Sequence, residues 1–183
     1  MKHYRIKIIV AIALVLMLGI YVFMVVRINK AFPNPEEINY TSDNPANFNG
    51  LEIRPEYYEL CSINEYSEMS SEFSYLSEEQ AEKSIIILIK LKLKNTTQDI
   101  INYMPDFILN IEELNGKNGT TPVNFNDRRI VIMPGEEREL LLEAYMGPSQ
   151  LKYEKISKIE SSTVYLIYAF YPYREKIILN KKI

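Results

Sequence analysis

The sequence predicts an all-β domain, an antiparallel β-sandwich of about seven strands, carried behind a single amino-terminal transmembrane helix. Three observations predict it. Residues 8–26 form one uninterrupted apolar run with basic residues on both sides. Beyond residue 50, short segments alternate apolar and polar side chains with the period of two that a half-buried strand requires. Turn pairs such as Asn-Gly and Pro-Gly separate those segments, and no long amphipathic helix interrupts them.

The apolar run comes first. Nineteen residues rising about 1.5 Å each span roughly 28 Å, close to the ~30 Å hydrocarbon thickness of a bilayer. In hydrocarbon every backbone polar group must be bonded within the segment, so the run reads as a helix that tolerates Gly19. Its exit, Met24-Val25-Val26-Arg27-Ile28-Asn29, lacks the small residues of a signal-peptidase site, which points to an uncleaved signal anchor. Val15 and Phe23 stand four residues either side of Gly19, where a close-packing helix dimer needs small residues. Lys2, Arg5, Lys7 and the terminal amine precede the run, and Arg27 and Lys30 follow it. This basic excess puts the amino terminus in the cytoplasm and the carboxyl-terminal domain outside, in a single-pass protein of the cell membrane.

The expected division is a cytoplasmic stub at 1–7, the membrane helix at 8–26, an extracytoplasmic linker at 27–49 and the sandwich at 50–183. The linker reading rests on the Asn-, Pro-, Asp- and Ser-rich composition of 27–49 and its lack of apolar periodicity. As flexible coil it reaches no more than roughly 80 Å when fully extended.

The strands follow in order. Leu51, Ile53, Tyr57, Tyr58 and Leu60 mark the first, with Pro55 confining it to an edge or a bulge. Residues 62–83 form a long acidic connection in which Ser77-Glu78-Glu79-Gln80 has capping-box spacing. Residues 85–95 are continuously apolar at first and then alternate Ile89, Leu91 and Leu93 with Lys90, Lys92 and Lys94. This is the pattern of a central strand that is fully covered at one end and half-exposed at the other. Phe107, Leu109 and Ile111 mark the next strand, and the two Asn-Gly pairs of 115–119 a loop tip. Phe125 and Ile130 to Met133 precede the Pro134-Gly135 turn, and Leu140, Leu142, Ala144 and Met146 then face inward. Residues 147–161 read as a loop anchored by Leu151, Ile156 and Ile159, and two closing strands occupy 163–171 and 175–179.

The runs Lys90 to Thr97, Met133-Pro134-Gly135-Glu136-Glu137 and Tyr168-Ala169-Phe170-Tyr171-Pro172 together resemble a family of unknown function. Its members are Ig-like domains of membrane-anchored proteins from low-GC Gram-positive bacteria. The resemblance implies an Ig-like fold over roughly residues 50–180 and an extracellular location. It carries over no activity and no functional residue.

Composition narrows the function class. The sole histidine is His3, so the outer domain has no Ser-His-Asp triad, Cys-His dyad or His-ligated zinc site. The sole cysteine, Cys61, permits no internal disulfide and reads as a buried apolar residue. After residue 30 the chain carries 24 acidic against 16 basic residues, a net charge of −8 that argues against nucleic acid. No cofactor and no metal is expected.

The expected function is non-enzymatic binding of a protein partner near the membrane. A carboxylate-based cell-envelope hydrolase and an accessory subunit of a transporter or secretion complex are the alternatives. The candidate partner-binding residues are Tyr165, Tyr171 and Tyr173, from an aromatic cluster with Tyr168 and Phe170, since tyrosine suits interfaces at small entropic cost. Alternating tyrosines equally suit the core and rim of a strand. Arg128 and Arg129, after Asp127, are the second candidates, because paired guanidinium forks can grip a carboxylate or phosphate.

Overall fold

Backbone hydrogen bonding closed within the apolar run yields one long helix. In the computed structural model, which describes residues 2–183, this helix is α1 (Lys2–Ala31), longer than the apolar run at both ends. Its Lys7–Ala31 stretch is long and apolar enough to cross a membrane, a test that a signal sequence also meets. The chain divides into two compact units, residues up to 36 and Glu37–Ile183, with the boundary at the first residue of a strand.

The second unit is a β-sandwich with twelve strands among the described residues instead of about seven. In order they are β1 (Glu36–Tyr40), β2 (Ala46–Phe48), β3 (Leu51–Cys61), β4 (Ile85–Asn95), β5 (Ile101–Tyr103) and β6 (Ile108–Ile111). There follow β7 (Gly116–Gly119), β8 (Thr121–Pro122), β9 (Ile130–Ile132), β10 (Glu137–Met146), β11 (Val164–Ala169) and β12 (Tyr173–Leu179). Two short helices, α2 (Ile63–Ser67) and α3 (Glu78–Glu82), lie in the connection between β3 and β4. One sheet has the order β1-β12-β11-β6-β7 and the other β2-β3-β4-β10-β8, while β5 and β9 form a separate ribbon.

The main core lies between the two sheets. Ile87, Ile89, Leu91 and Leu93 of β4 and Leu140, Leu142 and Ala144 of β10 meet Leu109, Ile111, Val164, Leu166 and Ile177 of the opposite sheet. Leu151 and Ile159 anchor the 147–161 loop onto this core, as their apolarity predicts.

The expected linker is corrected here, because residues 36–48 belong to the sandwich. β1 joins β12 through charged pairs: Glu37 accepts from Lys176 Nζ at 2.8 Å and from Arg174 at 3.2 Å. The Lys176 hydrogen bond is the main cause holding the Glu37 carboxyl below its ordinary range. β2 joins β3 as a hairpin, Phe48 opposite Leu51, whose two-residue turn Asn49-Gly50 has both φ angles positive. That is the turn geometry that Asn-Gly favours between twisted strands. A Cβ on Gly50 would also collide with Thr97. Residues 116–119 are likewise no free loop tip. After Asn115 in the left-handed region, they pair with β6 as an edge strand through backbone groups that need no apolar alternation.

β4 is central, between β3 and β10, and its apolar first half is covered on both faces. The outward side chains Ile86 and Leu88 form a second core with Cys61, Ile63 and Tyr66, and with Phe73, Leu76 and Ala81 of the acidic connection. This connection is therefore a cover over the outer sheet face. Both of its helices begin in capping boxes: Ser77 with Gln80, as the spacing predicts, and Ser62 with Glu65. Where the cover ends, Lys90, Lys92 and Lys94 emerge and pair with Glu139 and Glu137 at 2.7–2.9 Å. Lys92 and Lys94 hold the Glu137 carboxyl down at about 2.

Glu143 points to the same outer face but lies under the cover. It is 3% exposed, and its Oε2 is buried with no hydrogen-bond partner among the described residues. Burial pushes its pKa up to about 7. The folded state thus holds a proton that the unfolded chain releases, so this carboxyl lowers stability as pH rises from its ordinary range toward 7. Glu143→Gln removes that loss. The variant should gain up to about 3 kcal/mol over the parent at ~pH 8 and almost nothing at ~pH 4, measured by urea unfolding at both values. Parallel stability–pH curves for the two proteins would contradict this account.

Candidate interaction surface

Antiparallel pairing decides which loops share an end of the sandwich. In one sheet Ile167 opposes Ile108, so the end of β11 lies beside the start of β6. In the other, Leu51 opposes Asn95 and Glu137 opposes Lys94, which groups the β2–β3 turn, the end of β4 and the start of β10. An aromatic chain joins the two groups. Phe48 stacks on Tyr168 with centroids 3.5 Å apart, Tyr40 meets Phe48 edge-on at 5.6 Å, and Phe107 lies 6.1 Å from Tyr168. A β-bulge between Ile167 and Ala169 displaces Tyr168 from the regular alternation.

A buried polar residue locks the loops of this end. Asn95 is fully buried, and its Nδ2 donates to the carbonyls of Asp99 at 2.7 Å and Ile132 at 3.0 Å. Its Oδ1 accepts from the Thr97 amide and hydroxyl, both at 2.8 Å. Its backbone carbonyl accepts from the Gly135 amide. One carboxamide thereby ties the β4–β5 connection to the β9–β10 turn. Thr96 adds two bonds to the Gly50 carbonyl, which attaches the β2–β3 turn as well.

On this scaffold the loops expose large apolar side chains. Ile100 and Met104 flank β5, Val131 and Met133 belong to β9 and its exit, and Phe170, Tyr171 and Tyr173 form the β11–β12 hairpin. Each is roughly half exposed or more, with Met104 at 69% and Tyr171 at 61%. Beneath them, Tyr103 has a buried hydroxyl without a partner among the described residues, and burial raises its pKa well above the ordinary value.

The sequence candidates separate. Tyr171 and Tyr173 stand on this end. Tyr165 does not, and its candidacy is corrected: it is 5% exposed on the outer face of its sheet. Its hydroxyl accepts from Asn110 Nδ2 at 2.6 Å, and Lys176 Nζ lies 4.6 Å from its ring centroid. Period two turns Tyr165 away from the core, but Lys176 and Asn110 bury it there. Arg128 and Arg129 are both exposed on the turn that leads into β9. The carboxylate beside them, Asp127, is taken by Arg138 at 2.9 Å. Ile100, Met104, Val131 and Met133 carry no local signal, since single apolar residues in loops are common.

No protein-family model matches the chain, and no curated protein is similar to it in sequence. Among solved structures it is similar to an uncharacterized β-sandwich protein from Clostridium difficile 630. The TM-score is 0.46 at 13% identity, over 80% of this chain and 96% of that one. It is also similar to a conserved hypothetical protein from Bacillus anthracis. There the TM-score is 0.44 at 10% identity, over 75% of this chain and 94% of that one.

Asn95→Ala tests the lock. It strands the Ile132 carbonyl and the Thr97 amide and leaves the Asp99 carbonyl only the Thr97 hydroxyl, so the expected loss is at least about 2 kcal/mol in urea unfolding. Amide exchange should accelerate first in residues 96–100 and 132–135. A stability change within about 0.5 kcal/mol, the range of an ordinary surface substitution, would contradict the role assigned to Asn95.

Proposed function

We propose that the protein is a single-pass membrane protein whose extracellular Ig-like domain binds a protein partner through this loop end, without catalysing a reaction. The observation that carries the reading is the set of seven half-exposed apolar side chains on loops from both sheets, mounted on a hydrogen-bonded support. Met, Tyr and Phe in such a setting are the residues that dominate protein interfaces, and a rigid mount lowers the ordering cost of binding. The partner's matching face is apolar, with carboxylates at the margin that meets Arg129.

The strand orders support the Ig-like reading. β3-β4-β10-β8 facing β12-β11-β6-β7 corresponds to the A-B-E-D and G-F-C-C′ orders of Ig-like domains, with β1, β2, β5 and β9 as additions. The loop end then corresponds to the end that carries the binding loops of variable domains. Location near the membrane is supported by chain length: residues 32–35 alone separate α1 from β1, at most roughly 14 Å of extended chain.

Two experiments test the proposal. A photo-crosslinking amino acid placed at Met104, Met133 or Tyr171 of the full-length protein in its own membrane should yield adducts with one common protein. The same probe at Lys92 should yield none. Adduct formation should be lost in Phe170→Ser/Val131→Ser protein of unchanged melting temperature. Adducts confined to lipid would overturn the reading in favour of membrane insertion by the loops. Topology is tested separately by a reporter fused after Ile183 that is active only outside the cytoplasm. Activity is expected, and a silent reporter in a stably expressed fusion would invert the orientation.

A further inference from the structure

The outer sheet face under the acidic cover contains an unpartnered carboxyl. Glu143 lines a cleft of about 340 Å³ whose walls come from three places: the cover, the β7–β8 segment and β10. Neither carboxyl oxygen of Glu143 has a hydrogen-bond partner among the described residues, and Oε2 is sealed from solvent. A buried carboxyl without a partner is costly, and a bound ligand is one way such a group is completed.

The cleft lining identifies the missing group. Glu72 of the cover adds a second carboxylate, and no lysine or arginine lines the cleft. Phe73 and Tyr145 stack on each other at 5.2 Å and supply aromatic surface. The Tyr145 hydroxyl is tied to Ser84 at 2.9 Å, so Glu143 and Glu72 are the lining groups left to meet a charge. Thr121, directly opposite Glu143 in the β8–β10 register, presents a hydroxyl with no partner among the described residues. The remaining polar groups are engaged: Asn118 donates to the Tyr145 carbonyl at 2.7 Å and accepts from the Gly119 amide, and Thr120 donates to the Phe107 carbonyl.

Three groups with free acceptor oxygens therefore line the cleft. Calcium takes 6–8 oxygen ligands, more than Glu143, Glu72 and Thr121 offer. No group of three His, Cys, Asp or Glu side chains able to hold a metal occurs among the described residues. A primary ammonium has three N–H donors, a single positive charge and an alkyl stem suited to aromatic walls.

We infer that the Glu143 cleft binds a primary ammonium group, carried by a free alkylamine or by a lysine side chain. The bound group bridges the cover, through Glu72 and Phe73, to the sheet, through Glu143 and Thr121. Binding draws the Glu143 proton off into solvent, so affinity rises with pH until the carboxyl of the free protein is itself ionised. This site is separate from the loop end, and neither reading depends on the other.

The test uses the full-length protein in lipid nanodiscs, titrated by calorimetry with n-butylammonium and with Nα-acetyl-lysinamide. Saturable binding of n-butylammonium is expected, with affinity falling about tenfold per pH unit below the Glu143 pKa. Glu143→Gln should weaken it at least tenfold while remaining folded, and Thr121→Val should weaken it less. Amide exchange of residues 70–76 should slow on binding. Comparable affinity for the lysine derivative supports a polypeptide source, and binding of n-butylammonium alone supports a free amine. The inference is overturned by absence of saturable binding, by unchanged affinity in Glu143→Gln, by equal binding of butyltrimethylammonium, which has no N–H, or by preferential binding of calcium.

Discussion

Burial of both faces at the start of β4 is the constraint on which the β-sandwich depends. A strand reading Ile85-Ile86-Ile87-Leu88-Ile89 cannot leave either face to water, since each fully buried side chain of this kind is worth roughly 1.5–3 kcal/mol. Ile87 and Ile89 go to the core between the sheets, and Ile86 and Leu88 require a second covering layer. The connection from β3 to β4 supplies it with Tyr66, Phe73, Leu76 and Ala81, held by two capped single-turn helices. The acidity of this connection follows from its position, because its outer side faces solvent while Tyr66 and Phe73 face the sheet. The same layer removes Glu143 from water.

The two ends of β4 perform different work. Its covered end organises an apolar layer with a buried carboxyl beneath it. Its other end stops at Asn95, whose side chain replaces the ladder hydrogen bonds that a continuing strand would make and shares them between the β4–β5 connection and the end of β9, while Thr96 holds the β2–β3 turn. An apolar residue at 95 would fill the same space but leave those loops unlinked. Ile100, Val131 and Met133 are thus carried on backbone that is itself bonded, which separates them from apolar residues that merely fall in mobile loops.

Much of this was legible in the residues. The change from continuous to alternating apolarity within 85–95 announced both the cover and the point where it ends, and Ser77 to Gln80 announced a helix start. What escaped was non-local. β1 has little apolar character and is held by Glu37 to Lys176 and Arg174, residues about 140 positions away. The β2–β3 hairpin did carry a local sign, Asn49-Gly50 between Phe48 and Leu51, masked by the Pro- and Asn-rich composition around it. Of the interaction end, only Tyr171 and Tyr173 stood out, because they are neighbours in sequence. Met104, Val131 and Met133 join them through the pairing of β5 with β9 and the Asn95 bonds, which no window along the chain contains. Tyr165 was misplaced for a related reason: alternation tells which face a side chain takes, not what covers that face.

The edge strands of the two main sheets are β1, β7, β2 and β8, of five, four, three and two residues, whereas β3, β4 and β10 in the interior have ten or eleven. Short rims present few free backbone donors and acceptors, and they give an incoming strand little length over which to zip. Long open rims would invite runaway sheet-to-sheet stacking whenever copies of the chain meet. This domain is built so that close approach of its copies does not polymerise it, and association is left to side chains instead of to main chain.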